Sequence, residues 1–146
     1  IPAEPLFRSV GMTLGTGLGT GVVMDGRLLH GANCGVGELG KSAHKGLMLQ
    51  GWCASPYFPR EWGYEAHEIH CRARDGDAEA LRILDLYGEE LAAAVALELY
   101  AYDPEIVVFG GSIAAAIAGS IFGPVFFKLF QGIREKLHGG RTPPVV

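Results

Sequence analysis

Cysteine is scarce in this sequence of 146 residues, which contains only Cys34, Cys53 and Cys71. An odd number at such wide spacing is neither a disulfide framework nor a Cys-Xaa-Xaa-Cys metal pattern. We therefore expect a reducing, cytoplasmic setting. A long uninterrupted apolar run is also lacking, because glycines and Pro124 break the run at 113–127. This interruption argues against a membrane span, so no membrane partner is expected.

Clustered positive charge is lacking as well. The formal net charge is -4, and acidic and basic residues are interspersed along the chain. A surface that follows a nucleic-acid backbone needs grouped Lys and Arg side chains. We therefore expect no nucleic-acid binding through this chain. Hydrophobic residues make up 49% of the sequence, which is enough for one domain with its own core.

The first third of the chain predicts an antiparallel meander of three strands, Val10–Leu14, Gly21–Asp25 and Arg27–Ala32. Glycine occupies every second position of the segment Gly15–Gly21, which permits a tight backbone turn with free amides. The pair Asp25-Gly26 is a strong signal for a two-residue hairpin turn.

The rest of the chain predicts helices packed on that sheet. Residues 31–63 show no sustained periodicity, which is typical of an irregular segment that carries function. Apolar residues then recur at helical spacing between Leu81 and Leu99, and the helix should end before Asp103-Pro104. Ile106–Phe109 reads as a buried strand, parallel to a central strand. A last helix is expected from Pro124.

Two segments of the sequence can be compared with known nucleotide-binding motifs. Gly35–Ser42 matches the P-loop pattern literally, but no buried strand precedes it. The glycines of Gly15–Gly21 have the wrong register for a dinucleotide fingerprint, and a strand follows them where a helix is required. A glycine-rich hairpin remains, either purely structural or able to hold phosphate oxygens with its amides and with Thr16 and Thr20.

Three segments, in order, resemble those of the ROK family (repressors, open reading frames, kinases). They are Thr13–Leu28, His30–Asn33 followed by Gly37–Gly40, and Asp103–Ser112. The resemblance extends from Val10 to Leu137 and implies an α/β, actin-like ATPase (ribonuclease H-like) fold. Such a fold has a mixed sheet with an antiparallel meander and flanking helices. Because the chain starts at Ile1 without a methionine, and the family's first phosphate loop lies in an N-terminal half, we expect a fragment. Residues 1–146 would form the C-terminal lobe, with the N-terminal lobe absent from this chain.

The resemblance also implies site residues. For the nucleotide they are Gly15, Thr16, Gly17, Gly110, Gly111 and Ser112. For the sugar they are Glu38, Lys41, Gln50 and Asn33. Lys41 stands where the family has a histidine and Gln50 where it has a second glutamate. Because Lys only donates hydrogen bonds and Gln offers one acceptor and a donor, the sugar specificity should differ.

The function implied is an ATP-dependent sugar kinase that transfers phosphate from magnesium ATP to a hydroxyl of a hexose or N-acetylhexosamine. The catalytic base of the family lies in the N-terminal half, so no catalytic residue is expected here. The alternative is the sugar-sensing domain of a ROK transcriptional repressor. An Asp-Xaa-Gly-Gly-Thr motif upstream of Ile1 would favour the kinase, and a helix-turn-helix would favour the repressor. A homodimer is a family expectation.

Metal binding is not expected from the remaining histidines and cysteines. The family's zinc-binding cysteines are absent, with Cys53 the only cysteine nearby, so no structural zinc is expected. His67 and His70, with the neighbouring glutamates, predict a polar surface at a helix start. The aromatic residues of the irregular segment predict either a sugar-stacking wall or a small core of their own. They are Trp52, Tyr57, Phe58 and Trp62.

Overall fold

The computed structural model describes residues 8–114, which form a mixed four-stranded sheet, a two-stranded sheet and flanking helices. In chain order the elements are β1 (Ser9–Leu14), β2 (Leu18–Met24), β3 (Arg27–Leu28), a 3₁₀ turn (Glu38–Lys41), β4 (Ala43–His44), β5 (Leu47–Met48), α1 (Gln50–Cys53), α2 (Tyr57–Trp62), α3 (Ala66–Arg74), α4 (Ala78–Tyr102) and β6 (Ile106–Gly110). None of the helices in this part of the chain has the length and apolar character needed to cross a bilayer. The helix predicted from Pro124 lies outside the described residues.

The main sheet has the strand order β3-β2-β1-β6. β1 and β2 pair antiparallel, with Leu14 opposite Leu18, so the turn between them has only three residues. β6 pairs parallel with β1, with Thr13 opposite Gly110. The predicted meander and the parallel placement of the later strand are both confirmed.

Two strand boundaries differ from the prediction by more than one residue. β2 begins at Leu18 instead of Gly21, because Gly19 continues the ladder opposite Thr13. A Cβ at Gly19 would lie 2.9 Å from the Thr13 hydroxyl oxygen, so the glycine makes room for its cross-strand neighbour. β3 ends at Leu28 instead of Ala32, and after one more hydrogen bond, from Leu29 to Val22, the chain leaves the sheet.

Both hairpin turns of two residues use the left-handed region of the backbone. Asp25 and Gly26 have φ angles of 55° and 71°, which fits the predicted turn. Lys45 and Gly46 join β4 to β5 in the same manner, with φ angles of 46° and 82°. The second hairpin was not predicted, since its strands are two residues long and Lys-Gly is a weaker turn signal than Asp-Gly.

Helix α4 is the longest element and ends where the sequence predicts. The Asp77 carboxylate caps its first turn by accepting hydrogen bonds from the amides of Glu79 (2.9 Å) and Ala80 (3.2 Å). The helix stops at Tyr102, and Asp103 takes a left-handed conformation before Pro104. A residue that precedes proline is disfavoured in helical geometry, which explains the stop.

The core joins one face of the main sheet to the inward face of α4. Its members from β1 and β2 are Val10, Met12, Leu14, Leu18 and Val22, and those from α4 include Ile83, Leu84, Tyr87, Leu91 and Val95. Tyr57 and Phe58 belong to the same core, with ring centroids 5.6 and 4.9 Å from that of Tyr87. For these two residues the structure therefore bears out the core interpretation. The Tyr87 hydroxyl donates to the Cys53 carbonyl at 2.8 Å, so its polar group is satisfied inside the core.

A buried carboxylate fastens the β4–β5 hairpin to α4. Glu90 accepts a hydrogen bond from the Lys45 ammonium and lies 2.9 Å from Nε2 of His44. Burial alone would raise the pKa of Glu90, but the hydrogen bonds from Lys45 and His44 outweigh it and lower that pKa. The Trp52 indole adds a hydrogen bond to the His44 carbonyl at 3.1 Å. The Glu90 side chain therefore stabilises a hairpin whose large apolar side chains, Leu47 and Met48, are largely exposed.

The carboxyl end of β6 approaches β1 very closely at Gly111. This residue has a φ of +98°, and a Cβ there would lie 2.3 Å from the Leu14 carbonyl oxygen. Both the backbone conformation and the missing side chain are therefore required. We expect Gly111→Ala to lower the free energy of unfolding by at least about 2 kcal/mol, from backbone strain and steric overlap together. Urea denaturation of the full-length protein measures this change.

Gly76→Ala is the matched control for that substitution. Gly76 also has a positive φ, +85°, but nothing lies within 4 Å of its added Cβ. It should therefore cost about 1–2 kcal/mol from conformation alone. Equal losses for the two variants would show that the contact between Gly111 and Leu14 does not constrain the sheet.

The Glu90 anchor predicts a stability that depends on acid pH. Glu90→Gln should cost about 1.5–3 kcal/mol at neutral pH, because the Lys45 ammonium then faces a neutral amide instead of a carboxylate. The folded-state pKa of Glu90 is lowered, so this stabilisation is present above the unfolded value, 4.5, and is lost as the pH falls through the folded value. Urea midpoints of wild type and variant should converge below about pH 4.5. Glu89→Gln is the control, because Glu89 is exposed. A difference in urea midpoint between Glu90→Gln and wild type that stays the same at every pH would contradict the assignment.

Candidate functional site

The two glycine-rich segments predicted to contact nucleotide meet at one edge of the sheet. The turn Gly15–Gly17 follows β1, and Gly111 follows β6, which runs parallel to β1. Carboxyl ends of parallel strands lie at the same edge, where ligands of α/β proteins bind. A Cβ built on Gly15 would lie 3.9 Å from the Ser112 hydroxyl oxygen, so the two segments are neighbours. Gly110 closes β6 opposite Thr13, with open space around its α-carbon.

An open cleft of about 310 Å³ lies over this edge. Its lining residues are Thr13, Gly15, Thr16, Gly17, Leu18, Gly19, Gln50 and Gly111. The volume is at the lower end of the range for small-molecule sites. Most of the lining consists of glycine and threonine, so backbone amides and hydroxyl groups face the space.

The amides of the glycine turn are not all free. The Gly15 N–H donates to the Gly17 carbonyl at 3.1 Å, which closes the three-residue turn, and the Gly15 carbonyl accepts from the Ser55 amide at 2.8 Å. The second contact ties the turn to the connection between α1 and α2. Of the three predicted phosphate contacts, the amides of Thr16 and Gly17 are therefore better placed to receive a ligand than the Gly15 amide.

Gln50 lies in this cleft, beside the glycine turn. Its Oε1 atom is 3.4 Å from the position that a Cβ on Gly17 would take. On its other side, Cβ of Gln50 is 3.4 Å from the corresponding position on Gly40, in the 3₁₀ turn. Gln50 therefore lies between the segment predicted to hold phosphate and the segment predicted to hold sugar.

The other predicted sugar residues, Glu38, Lys41 and Asn33, are not among the residues that line the cleft. Glu38 and Lys41 form a salt bridge of 2.9 Å across the 3₁₀ turn, and both side chains are more than half exposed. Such a pair contributes little stability, roughly 0–1 kcal/mol, so a ligand can displace it at small cost. Asn33 is exposed in the irregular segment that precedes the turn.

The P-loop interpretation of Gly35–Ser42 is wrong. Residues 29–34 connect this segment to the exposed strand β3, and they belong to no helix or strand. Its lysine ends the 3₁₀ turn, and β4 follows at Ala43. The strand-loop-helix arrangement that a P-loop requires is therefore not present in the described part of the chain.

The predicted polar surface at the start of α3 is only partly correct. His67 and Glu68 are exposed, but His70 is 8% exposed. Burial, with smaller effects of Arg74 and His67, lowers the pKa of His70. The His67 ring nitrogen Nε2 lies 3.6 Å from the Cys71 sulfur. Within residues 8–114 no three His, Cys, Asp or Glu side chains come together closely enough to hold a metal ion.

Sequence reasoning missed two buried carboxylates on α4, Glu90 and Glu98. The available signal was their position on the apolar stripe of the helix, since Glu98 follows Val95 by three residues and Leu91 by seven. A carboxylate at such a position is buried and needs a partner. Those partners come from distant segments, which periodicity does not identify.

Comparison with known proteins places this arrangement in a family. The family model of the ROK family matches residues 48–118. The glucokinase of Pyrobaculum calidifontis is 39% identical over 121 residues, which cover 70% of this chain and 41% of that protein.

Solved structures give the same answer. The ROK hexokinase of Thermus thermophilus superimposes with a TM-score of 0.72 at 26% identity, covering 97% of this chain and 52% of that one. A ROK family transcriptional regulator, homologue of the E. coli MLC protein, superimposes with a TM-score of 0.67 at 27% identity, covering 88% and 38%. The chain thus spans about half, or less, of the proteins it matches. Its mixed sheet with flanking helices is the expected actin-like ATPase fold, and the chain belongs to the ROK family.

Proposed function

We propose that the full-length protein is an ATP-dependent sugar kinase and that residues 1–146 form its C-terminal lobe. The reaction is phosphoryl transfer to a hydroxyl group of a hexose or N-acetylhexosamine. The observation that carries the proposal is the cleft in which the glycine turn, Gly111 and Gln50 face one another. The similarity to a glucokinase and a hexokinase supports this reaction.

The phosphates of ATP lie against the turn Gly15–Gly17 in this proposal. The amides of Thr16 and Gly17 and the Thr16 hydroxyl donate to phosphate oxygens, while the Gly15 amide keeps the turn closed. Fixed backbone donors of this kind stabilise the charge that is redistributed as the phosphoryl group moves. Adenosine lies by Gly110, Gly111 and Ser112, where a Cβ built on Gly110 would have no atom within 4 Å.

Magnesium accompanies the nucleotide and neutralises phosphate charge when it is bound. No residue of this chain is assigned to it. A cytoplasmic location, where ATP is available, agrees with the free thiols of Cys34, Cys53 and Cys71. Burial and, more weakly, Glu90 raise the pKa of the Cys53 thiol to about 12, so that thiol is not a nucleophile.

The sugar is held by Glu38 and Gln50, with contributions from Lys41 and Asn33. A carboxylate accepts hydrogen bonds from two neighbouring hydroxyls, and Glu38 becomes available when the sugar replaces Lys41 as its partner. Gln50 contributes one acceptor and one donor between sugar and phosphate. The base that takes the hydroxyl proton belongs to the N-terminal lobe. The C-terminal lobe, residues 1–146, therefore binds and orients both substrates without performing proton transfer.

A second candidate is the sugar-sensing domain of a ROK transcriptional repressor. The similarity to a ROK regulator and the internal pairing of Glu38 with Lys41 favour it. A sensor needs sugar binding without turnover. ADP release by the full-length protein, with a panel of hexoses and N-acetylhexosamines, distinguishes the two functions. Saturable sugar binding without ADP release would support the sensor.

The role of Glu38 is tested by Glu38→Gln. The substitution keeps the shape of the side chain and removes its charge, so one charge-assisted hydrogen bond to the sugar becomes neutral. We expect the KM for the sugar to rise about tenfold to a hundredfold, which corresponds to about 1.5–3 kcal/mol. Steady-state kinetics of ADP release measure it. Glu61→Gln is the control, because Glu61 also forms a surface ion pair, with Arg60 at 2.7 Å, away from the cleft. An unchanged KM would make Glu38 a bystander.

The nucleotide assignment is tested by Gly17→Val. The nearest atom to a new Cβ is Oε1 of Gln50 at 3.4 Å, so the fold should tolerate the change while the side chain fills the cleft. We expect ATP binding to be abolished in calorimetric titration of the full-length protein, with urea stability little changed. Gly35→Val, where nothing lies within 4 Å, is the control. If both variants bind ATP with wild-type affinity, the phosphates lie elsewhere.

A further inference from the structure

Among residues 8–114, Glu98 is a fully buried carboxyl group without a counter-ion. Its residue is 1% exposed, and neither carboxyl oxygen has a hydrogen-bond partner of good geometry among residues 8–114. An ionised carboxylate in such a position would be costly, because burial without compensating hydrogen bonds removes its hydration. The neutral, protonated carboxyl group avoids this cost.

The surroundings of Glu98 lead directly to the turn that carries Glu38. The Thr20 hydroxyl of β2, which interacts with the Glu98 carboxyl, donates to the Gly37 carbonyl. The Gly37 amide in turn donates to the Tyr102 hydroxyl at 3.2 Å. Glu98 and Tyr102 are four residues apart on α4 and thus share one face. Gly37, the residue before Glu38, is held from both sides by groups next to Glu98.

Gly37 has little freedom in this arrangement. Its φ is +83°, and a Cβ there would lie 2.4 Å from the Thr20 carbonyl oxygen. The 3₁₀ turn starts at the next residue, so the direction in which Glu38 leaves the backbone depends on how Gly37 is held.

We propose that Glu98 is a positioning residue of the sugar site: its protonated carboxyl donates a hydrogen bond to Thr20, and this contact fixes the Gly37 turn that presents Glu38. The proposal rests on the proposed function only where it assigns Glu38 to the sugar. The Thr20 hydroxyl has one proton, which the Gly37 carbonyl receives, so toward Glu98 it can only accept. A protonated Glu98 completes this chain of hydrogen bonds, and an ionised Glu98 would face a lone pair.

The electrostatic surroundings favour the protonated form. Burial raises the pKa of Glu98. A Thr20 hydroxyl that donated to the carboxylate would oppose this shift, but its proton is directed to the Gly37 carbonyl. The strands β1, β2 and β6 and the helix α1 contain no charged residue. Several charged groups on the other packed elements form ion pairs of their own: Glu38 with Lys41, Asp103 with Arg8, Glu90 with His44 and Lys45, and Arg72 with Asp77 and Glu79.

The sign of the pH effect follows from the raised pKa. The folded state holds this proton more tightly than the unfolded chain does. The stabilisation is therefore fully present below the unfolded value, 4.5, and is lost as the pH rises through the folded value. Glu98→Gln keeps a donor, the side-chain amide, and cannot ionise. Relative to this variant, the wild type should lose stability as the pH is raised.

The experiment uses the full-length protein and four variants. Hydrogen–deuterium exchange of the peptide covering residues 31–42 reports how firmly the turn is held, whatever the protein's activity. Glu98→Leu and Thr20→Val remove one member of the chain each and should speed exchange about tenfold, the effect of one lost hydrogen bond. Glu98→Gln should exchange like the wild type, as should the control Glu89→Gln on the exposed face of α4. Wild-type exchange in Glu98→Leu would overturn the proposal.

Kinetics then separate positioning from a purely structural role. Glu98→Leu and Thr20→Val should raise the KM for the sugar about tenfold, with the KM for ATP and the kcat unchanged, and Glu98→Gln should restore the wild-type value. Faster exchange with an unchanged sugar KM would overturn the link to the sugar site. If the wild type turns over no sugar, the kinase assignment fails. Sugar affinity from calorimetry then replaces KM, and the same comparison of variants decides whether Glu98 positions the turn.

Discussion

The parallel pairing of β1 with β6 is the constraint on which the rest of the described structure depends. It brings residues about a hundred positions apart into register, Ser9 opposite Ile106 and Thr13 opposite Gly110. Two glycine-containing turns then leave the sheet at the same edge, and Gly111 closes against the Leu14 backbone. The cleft lies where both chain segments turn through residues that are mainly glycine. Any ligand at this edge is met chiefly by backbone, which does not depend on rotamer choice.

The elements predicted from the sequence are those with strong local signals. The Asp25-Gly26 turn, the periodicity of α4 and the stop before Pro104 are properties of neighbouring residues, and each was predicted correctly. The segment from residue 31 to 63 was not predictable in the same way. Its hairpin and short helices are held by contacts with α4, such as Glu90 with Lys45, 45 positions away. Tertiary contacts of this kind leave no periodic pattern in the sequence.

The site was predictable to a similar degree. The resemblance identified both glycine segments, and the structure brings them together. Their roles in binding a nucleotide remain predictions. The position of Gln50 against Gly17 depends on how α1 packs, which no local pattern reveals. Glu90 and Glu98 share one helix, and yet their pKa values are shifted in opposite directions, down for Glu90 and up for Glu98. Two donors reach the first, whereas the hydroxyl next to the second has already used its proton.

The short strand β3 has a consequence for self-association of the protein. It pairs with only Val23 and Met24, so the outer edge of β2 from Leu18 to Val22 has little strand beside it. The Gly37 turn lies along that edge through its contact with Thr20 and so covers backbone groups that another chain's strand could otherwise pair with. The segment that presents Glu38 thus also guards against edge-to-edge association. On the proposed assignment of Glu38, sugar recognition and protection against aggregation depend on the same few residues.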